Sequence, residues 1–253
     1  MTNFLRALSL LTVIPVRATW DDSVVAARTV GWFPLVGAVL GALLWAAALG
    51  LAQLGGLHTV PMLPGVLLVT AWAALTGGLH LDGWADCSDA LFAAVPKEKR
   101  FQIMKDPHLG SFGVTGLVLL LLLKIGAIQS LIIRGNTAYA LAPLFLAPIL
   151  GRWAIAIAAW RYPLAKQEGM AAKFRQGLGL REVMLATTIT ALACLPFGLR
   201  GLMLLASALV AMLLYCRLAV SRLDGVTGDV YGATVEWVET VVLVSACTLP
   251  QGM

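Results

Sequence analysis

Seven stretches of this 253-residue chain approach the span of about 20 apolar residues that a helix needs to cross a bilayer. They cover residues 31–54, 60–80, 112–133, 137–160, 182–199, 201–220 and 233–250. In hydrocarbon every backbone amide must be paired within the protein, which confines lipid-facing runs of this kind to helices. The expected fold class is therefore all-α: a polytopic integral membrane protein with about seven transmembrane helices. The opening FLRALSLLTVIPV, residues 4–16, is apolar but too short to span, so it is expected as an N-terminal interfacial or re-entrant segment. No A-x-A-like site follows it, and it does not read as a cleaved signal peptide. Composition agrees: 60% of residues are hydrophobic and 12% charged, against about 45–50% and 25% in soluble domains. No linker, repeat or low-complexity tract divides the sequence, and residues 1–253 are expected to form a single transmembrane catalytic domain. The four cysteines are scattered without a CxxC pair, which argues against a disulfide framework or a zinc site.

The net charge of +5 reports membrane orientation, not nucleic-acid binding. With the N-terminus in the cytoplasm, the inward segments carry fourteen Lys and Arg residues, and the outward loops carry only Arg134 and Arg200. That asymmetry is the positive-inside pattern. It implies a bacterial inner (plasma) membrane protein whose C-terminus lies outside, although Glu236 and Glu239 at the start of the last span leave open whether 233–250 crosses fully. The clustered acids all fall on the inward side. Whatever chemistry the chain performs is expected to face the cytoplasm.

Three segments carry that chemistry. In GGLHLDGWADCSDALF, residues 77–92, Asp82, Asp86 and Asp89 recur at i, i+4 and i+7, which places three carboxylates on one helical stripe. Like charges so arranged repel, more strongly in low dielectric, unless a cation neutralises them. Oxygen-only ligands favour Mg²⁺, with Mn²⁺ a possible substitute, over zinc. In RLDGVTGDVYGATVEWVE, residues 222–239, Asp229, Glu236 and Glu239 repeat the theme, and ionisable groups at a membrane boundary tend to be functional or paired. The expected metal ligands are accordingly Asp82, Asp86, Asp89, Asp229, Glu236 and Glu239, with Asp82, Asp86, Asp229 and Glu236 as catalytic candidates. In KRFQIMKDPHLGSFG, residues 99–113, Lys105 and Asp106 precede a turn that opens the third span, where backbone amides at a helix start can bind an anion. His80, Lys105, Asp106, Arg152 and Lys166 are the candidate substrate-binding residues. Lys124 and Arg152 lie inside spans, about 18 Å and 12 Å from the inward ends at 1.5 Å per residue. Each needs a carboxylate or a bound anion, so pairing with Glu236 or Glu239 and contact with a substrate phosphate both stay open. The Trp and Tyr residues read as interfacial belt material.

These motifs, GG-x-HLDG-x-AD-x-x-D, IMKD-x-x-x-G-x-x-G and TGD-x-x-GA-x-x-E-x-x-E, closely resemble those of the cobalamin synthase family, the adenosylcobinamide-GDP ribazoletransferases. The resemblance runs over almost the whole chain. FLRALSLLTVIPV and FPLVGAVLGA look like the family's opening, and the loop at 166–169 is similar to its Arg-x-x-Gly segment. Asp224 and Ala90 stand where the family has Gly, and Lys166 where it has Arg. The resemblance implies a magnesium-dependent phosphotransferase that assembles the lower loop of cobalamin. A ribose hydroxyl of α-ribazole, or of its 5′-phosphate, attacks the cobinamide-side phosphorus of adenosylcobinamide-GDP, and GMP leaves. The expected partners are those two substrates and membrane lipid, with a homo-oligomer left open. One rival is a CDP-alcohol phosphotransferase of phospholipid synthesis, whose DG-x-x-A opening is echoed at Asp82–Asp86 but whose full pattern is not met. The other is a secondary transporter using Lys124, Arg152 and Glu239 as a relay, against which no internal hydropathy repeat is found.

Overall fold

The computed structural model describes residues 2–18, 26–54, 60–135 and 137–249. Among them the regular structure is helical, apart from one isolated bridge between Leu164 and Val226. A short helix α1 (Thr2–Leu11) precedes α2 (Ala27–Val30) and the long α3 (Phe33–Gln53). Next come α4 (Leu63–Thr76), α5 (Leu79–Phe92), α6 (Lys97–Ile103), α7 (Ser111–Arg134) and α8 (Ala142–Arg161). The chain finishes with α9 (Met170–Arg175), α10 (Leu180–Cys194), a 3-10 turn at Leu195–Phe197, α11 (Gly198–Leu223) and α12 (Gly228–Thr248).

Five helical stretches are long and apolar enough to cross a membrane, or six if the bent pair α4–α5 counts as one span. One of the five, Leu180–Leu223, is a hairpin. Gly31, just before α3, lies against Glu182 at the start of α10, with its Cβ position 3.1 Å from the Glu182 carbonyl oxygen. Trp45 near the far end of α3 donates to Ala138 O at 3.0 Å, and Arg200 at the start of α11 donates to the next residue's carbonyl, Tyr139 O, at 2.9 Å. So α10 runs from one end of the bundle to the other and α11 returns, the reversal falling at Gly198 with φ +52°. Counting it twice, and the bent pair α4–α5 once, gives the seven crossings read from the sequence. The sequence run at 60–80 differs in detail. Its helix stops at Thr76, because Gly77 (φ +62°) and Gly78 (φ +71°) turn the chain by 95° into α5. The second run of this pair therefore leaves the span direction. Helix α1, with Val13 N donating to Leu75 O at 2.9 Å, packs beside this break and is too short to cross. Residue 250, the last of the expected seventh span, lies outside the described residues.

Helices α8 and α12 form the centre of the bundle, most of their side chains being buried. Small residues let neighbours approach closely: a methyl at Gly37 would meet Ile149 Cα of α8 at 2.7 Å. Many of the leucines on α7 and α11 instead face outward, as a lipid-facing surface requires. Asp224 ends α11 in the left-handed region, φ +59°, a conformation that favours Gly and that Asp tolerates.

Candidate active site

One end of the bundle collects the acidic residues. Helix α5 carries Asp82 and Asp86, and α12 brings Asp229 to them in its first turn, which Thr227 caps by accepting from Val230 N at 3.2 Å. The two helices touch where α5 has no side chain: a methyl at Gly83 would sit 2.8 Å from Asp229 O. That contact explains the Gly of the HLDG motif. Asp86 lies on α5, outside the five spans. Burial above all, and then the charges of Asp82, Asp229 and Asp89, push its carboxyl up to about 6. The isolated bridge ties the loop after α8 to the loop after α11 through Ala165 N to Val226 O at 3.0 Å and Val226 N to Pro163 O at 2.9 Å. This brings Lys166 beside Asp229, its Nζ 4.1 Å from the centroid of the Phe101 ring.

Three cavities meet at these residues. The largest, about 890 Å³ and open, is lined by Asp82, Asp86, Lys105, Asp106 and His108. A second, about 280 Å³, is lined by Lys105, Lys166, Thr227, Gly228 and Asp229. The third, also about 280 Å³, adjoins both: it shares Leu79 and Asp82 with the first and Met170, Ala171, Gly228 and Asp229 with the second. Lys105 thus faces both of the polar hollows. Asp106 is exposed and accepts from His108 N at 3.0 Å, with His108 Nδ1 at 2.7 Å; these hydrogen bonds hold its carboxyl below the usual range.

The other three carboxylates expected as metal ligands have different partners. Asp89 is buried and accepts from Gly110 N and Gly113 N, each at 2.8 Å, at the start of α7. A methyl at Gly110 or Gly113 would press on its Cγ at 2.8 or 3.0 Å, so both glycines of IMKD-x-x-x-G-x-x-G make room for this carboxylate. The anion at the helix start is Asp89 itself rather than a substrate phosphate. Glu236 and Glu239 lie inside the bundle. Lys124 Nζ is 2.5 Å from Glu236 Oε2 and 2.7 Å from Glu239 Oε2, and 4.5 Å from the centroid of the Trp72 ring. Arg152 Nη1 donates to Glu239 Oε1, and Arg152 Nη2 lies 3.3 Å from His80 Nδ1. Two cations and two carboxylates balance. The expected ligand role of Glu236 and Glu239 gives way to this internal network, since their charges are already met. Arg152, fully buried, likewise gives up its expected phosphate contact. His80 sits at the edge of the network. A guanidinium has only donors, so Nδ1 accepts and the neutral ring carries its proton on Nε2, an atom without a protein partner.

No three His, Cys, Asp or Glu side chains among the described residues converge closely enough to hold a metal ion by themselves. Mg²⁺ does not demand that: it is commonly held by one or two carboxylates together with substrate phosphates and water. The mutual repulsion of Asp82, Asp86 and Asp229 and their all-oxygen donors fit such an ion. Sequence reasoning missed the third cavity, whose walls come from six helices, α1, α3, α5, α8, α9 and α12. Tyr231, next to Gly232 in the third motif, was the available clue.

No solved structure matches this chain. Its sequence is 34% identical to an adenosylcobinamide-GDP ribazoletransferase of Brevibacillus brevis, over 96% of each chain. It is 36% identical to one from Desulforamulus reducens, over 94% of this chain and 92% of the relative. A Pseudomonas aeruginosa ribazoletransferase is 38% identical over 97% of both. The profile of the family described as Cobalamin-5-phosphate synthase matches residues 3–247, end to end across the three motifs, and the chain belongs to that family.

Proposed function

We propose that this membrane enzyme joins adenosylcobinamide-GDP to α-ribazole, or to its 5′-phosphate, releasing GMP at the cytoplasmic face of the bacterial inner membrane. The observation that carries the reading is the meeting of three cavities on Asp82, Asp229 and Lys105, as a reaction between two large substrates with one leaving group requires. The end of the bundle holding these cavities also holds Lys97, Lys99, Lys173 and Arg175, and the opposite end has Arg134 and Arg200, an asymmetry that supports the cytoplasmic side by the positive-inside rule.

In this assignment the hydroxyl oxygen of the acceptor ribose forms a bond to the cobinamide-side phosphorus while the bond from that phosphorus to the bridging oxygen breaks, and GMP departs with the electron pair. Asp82 or Asp229, each bordering the third cavity, accepts the hydroxyl proton. Lys105 and Lys166, which line the same hollows as these carboxylates, hold the diphosphate and the leaving phosphate. Asp82, Asp86 and Asp229 would hold Mg²⁺, with Mn²⁺ a substitute; when bound, the ion neutralises the diphosphate and the charge that develops on GMP. Phospholipid synthesis by a CDP-alcohol phosphotransferase is not favoured by the family membership. A transport relay has no support from the buried ions, which form a charge-balanced set.

The test is GMP formation by the purified protein. It should require both substrates, and no CMP should form when a CDP-alcohol replaces the donor.

A further inference from the structure

The third cavity has a composition unlike the other two. Its walls include Leu11 from α1, Phe33 from α3, Ile155 from α8, Phe174 from α9 and Tyr231 from α12, and no Lys or Arg lines it. Phe33 and Phe174 meet edge to face, ring centroids 5.6 Å apart at 88°. Two of its lining residues, His80 and Tyr231, each carry a buried polar atom without a protein partner, Nε2 and Oη. His80 is 2% and Tyr231 4% exposed, so bulk water does not readily satisfy either. Buried donors left unmade are costly and rare, and a pair of them in one cavity points to a ligand that completes them. The His80 atom is a donor, because Arg152 fixes the opposite tautomer through Nδ1. At about 280 Å³ the cavity lies at the small end of the range for small-molecule sites, roughly 300–1,000 Å³.

We propose that this cavity is the acceptor subsite: the flat aromatic base of the nucleoside lies against Phe33 and Phe174, its one free ring nitrogen accepting from His80 Nε2, with Tyr231 Oη bonded to a ribose hydroxyl and the ribose turned to Asp82 and Asp229. This assignment rests on the transferase reading above. The cavity suits an uncharged, flat, aromatic nucleoside and not the donor, which carries a diphosphate and a corrin ring too large for it. The lysine-bearing hollows that adjoin it take that substrate. The two carboxylates at the junction then stand between acceptor hydroxyl and diphosphate, where proton acceptance is needed.

The test uses the full chain in detergent or nanodiscs, with Tyr231→Phe, which removes only a hydroxyl, and Phe174→Ala. Each should raise the KM for α-ribazole about five- to tenfold while the KM for adenosylcobinamide-GDP stays within about twofold, as expected for one lost hydrogen bond or aromatic contact. Equilibrium dialysis of α-ribazole with no donor present should show the same loss of affinity, and it decides the point independently of turnover. A rise in the donor's KM instead, unchanged acceptor affinity in both variants, or no binding of α-ribazole by the wild type would overturn the subsite. If the wild type binds α-ribazole in this cavity yet releases no GMP with the donor added, the transferase reading fails and the subsite stands.

Discussion

Replacing Lys124 by methionine keeps most of the side-chain volume and removes the cation hydrogen-bonded to Glu236. Arg152 continues to hold Glu239, so a single carboxylate is stranded, 4% exposed and without a directly paired counter-charge. Breaking a buried pair in this way costs about 3–5 kcal/mol. For a chain of this size that corresponds to roughly a 10 °C fall in melting temperature. The charge-balanced double variant Lys124→Met with Glu236→Gln strands no charge and should recover most of the loss, a coupling that a double-mutant cycle reads directly. Pairing Lys124→Met with Glu239→Gln should recover less, since it takes away the carboxylate that Arg152 needs. The assay is a thermal melt of the purified variants in one detergent, with and without adenosylcobinamide-GDP. Ligand protection should be the same in the balanced double as in the wild type, because neither side chain reaches a cavity large enough for substrate. A Lys124→Met protein as stable as the wild type, or a double variant no better than the single, would refute the network as the role of these residues.

Asp89→Ala leaves Gly110 N and Gly113 N without their shared acceptor and should cost about 3 kcal/mol, visible as a lower melting temperature with the Mg²⁺ dependence of turnover unaltered. Asp86, raised from 3.8 to about 6, takes up a proton in the folded state before the unfolded chain does. Its contribution to metal-free stability is therefore largest below about pH 4 and is lost as pH rises through about 6. Melts of the EDTA-treated protein should show Asp86→Asn flattening the rise in stability between pH 7.5 and 5.5, and stabilising the protein at pH 7.5 while turnover is lost. A reporter fused after Met253 should behave as periplasmic and one inserted near Lys173 as cytoplasmic; the same side for both would contradict seven crossings.

How much of this was readable in advance depended on the distance over which a residue finds its partner. The apolar runs predicted the crossings because the bilayer sets their length, whatever packs beside them. Only the 60–80 run was misjudged, where two glycines with positive φ turn the chain after Thr76. The spacing of Asp82 and Asp86 gave one stripe, and the pairing with Asp229 followed from the repeated motif. What a carboxylate faces was not legible. Asp89 shares the stripe, yet its partners lie 21 and 24 residues further on, and Glu236 meets a lysine 112 residues away. Aromatic residues read as belt material turned out in part to be internal: Trp84 stacks between Tyr215 and Trp237 at 5.8 and 6.0 Å. No periodicity marks such a stack, nor a cavity walled by six segments.

The central claim is that Asp82, Asp86 and Asp229 hold a divalent cation that serves transfer to adenosylcobinamide-GDP. GMP release measured against Mg²⁺ concentration tests it most directly, in the wild type and in Asp82→Asn and Asp229→Asn. Release by the wild type should stop in excess EDTA and return with Mg²⁺ or Mn²⁺ but not Zn²⁺, and both variants should stay inactive at saturating metal although they melt as folded proteins. Full wild-type activity in EDTA, or wild-type rates and Mg²⁺ response in either variant, would contradict the account.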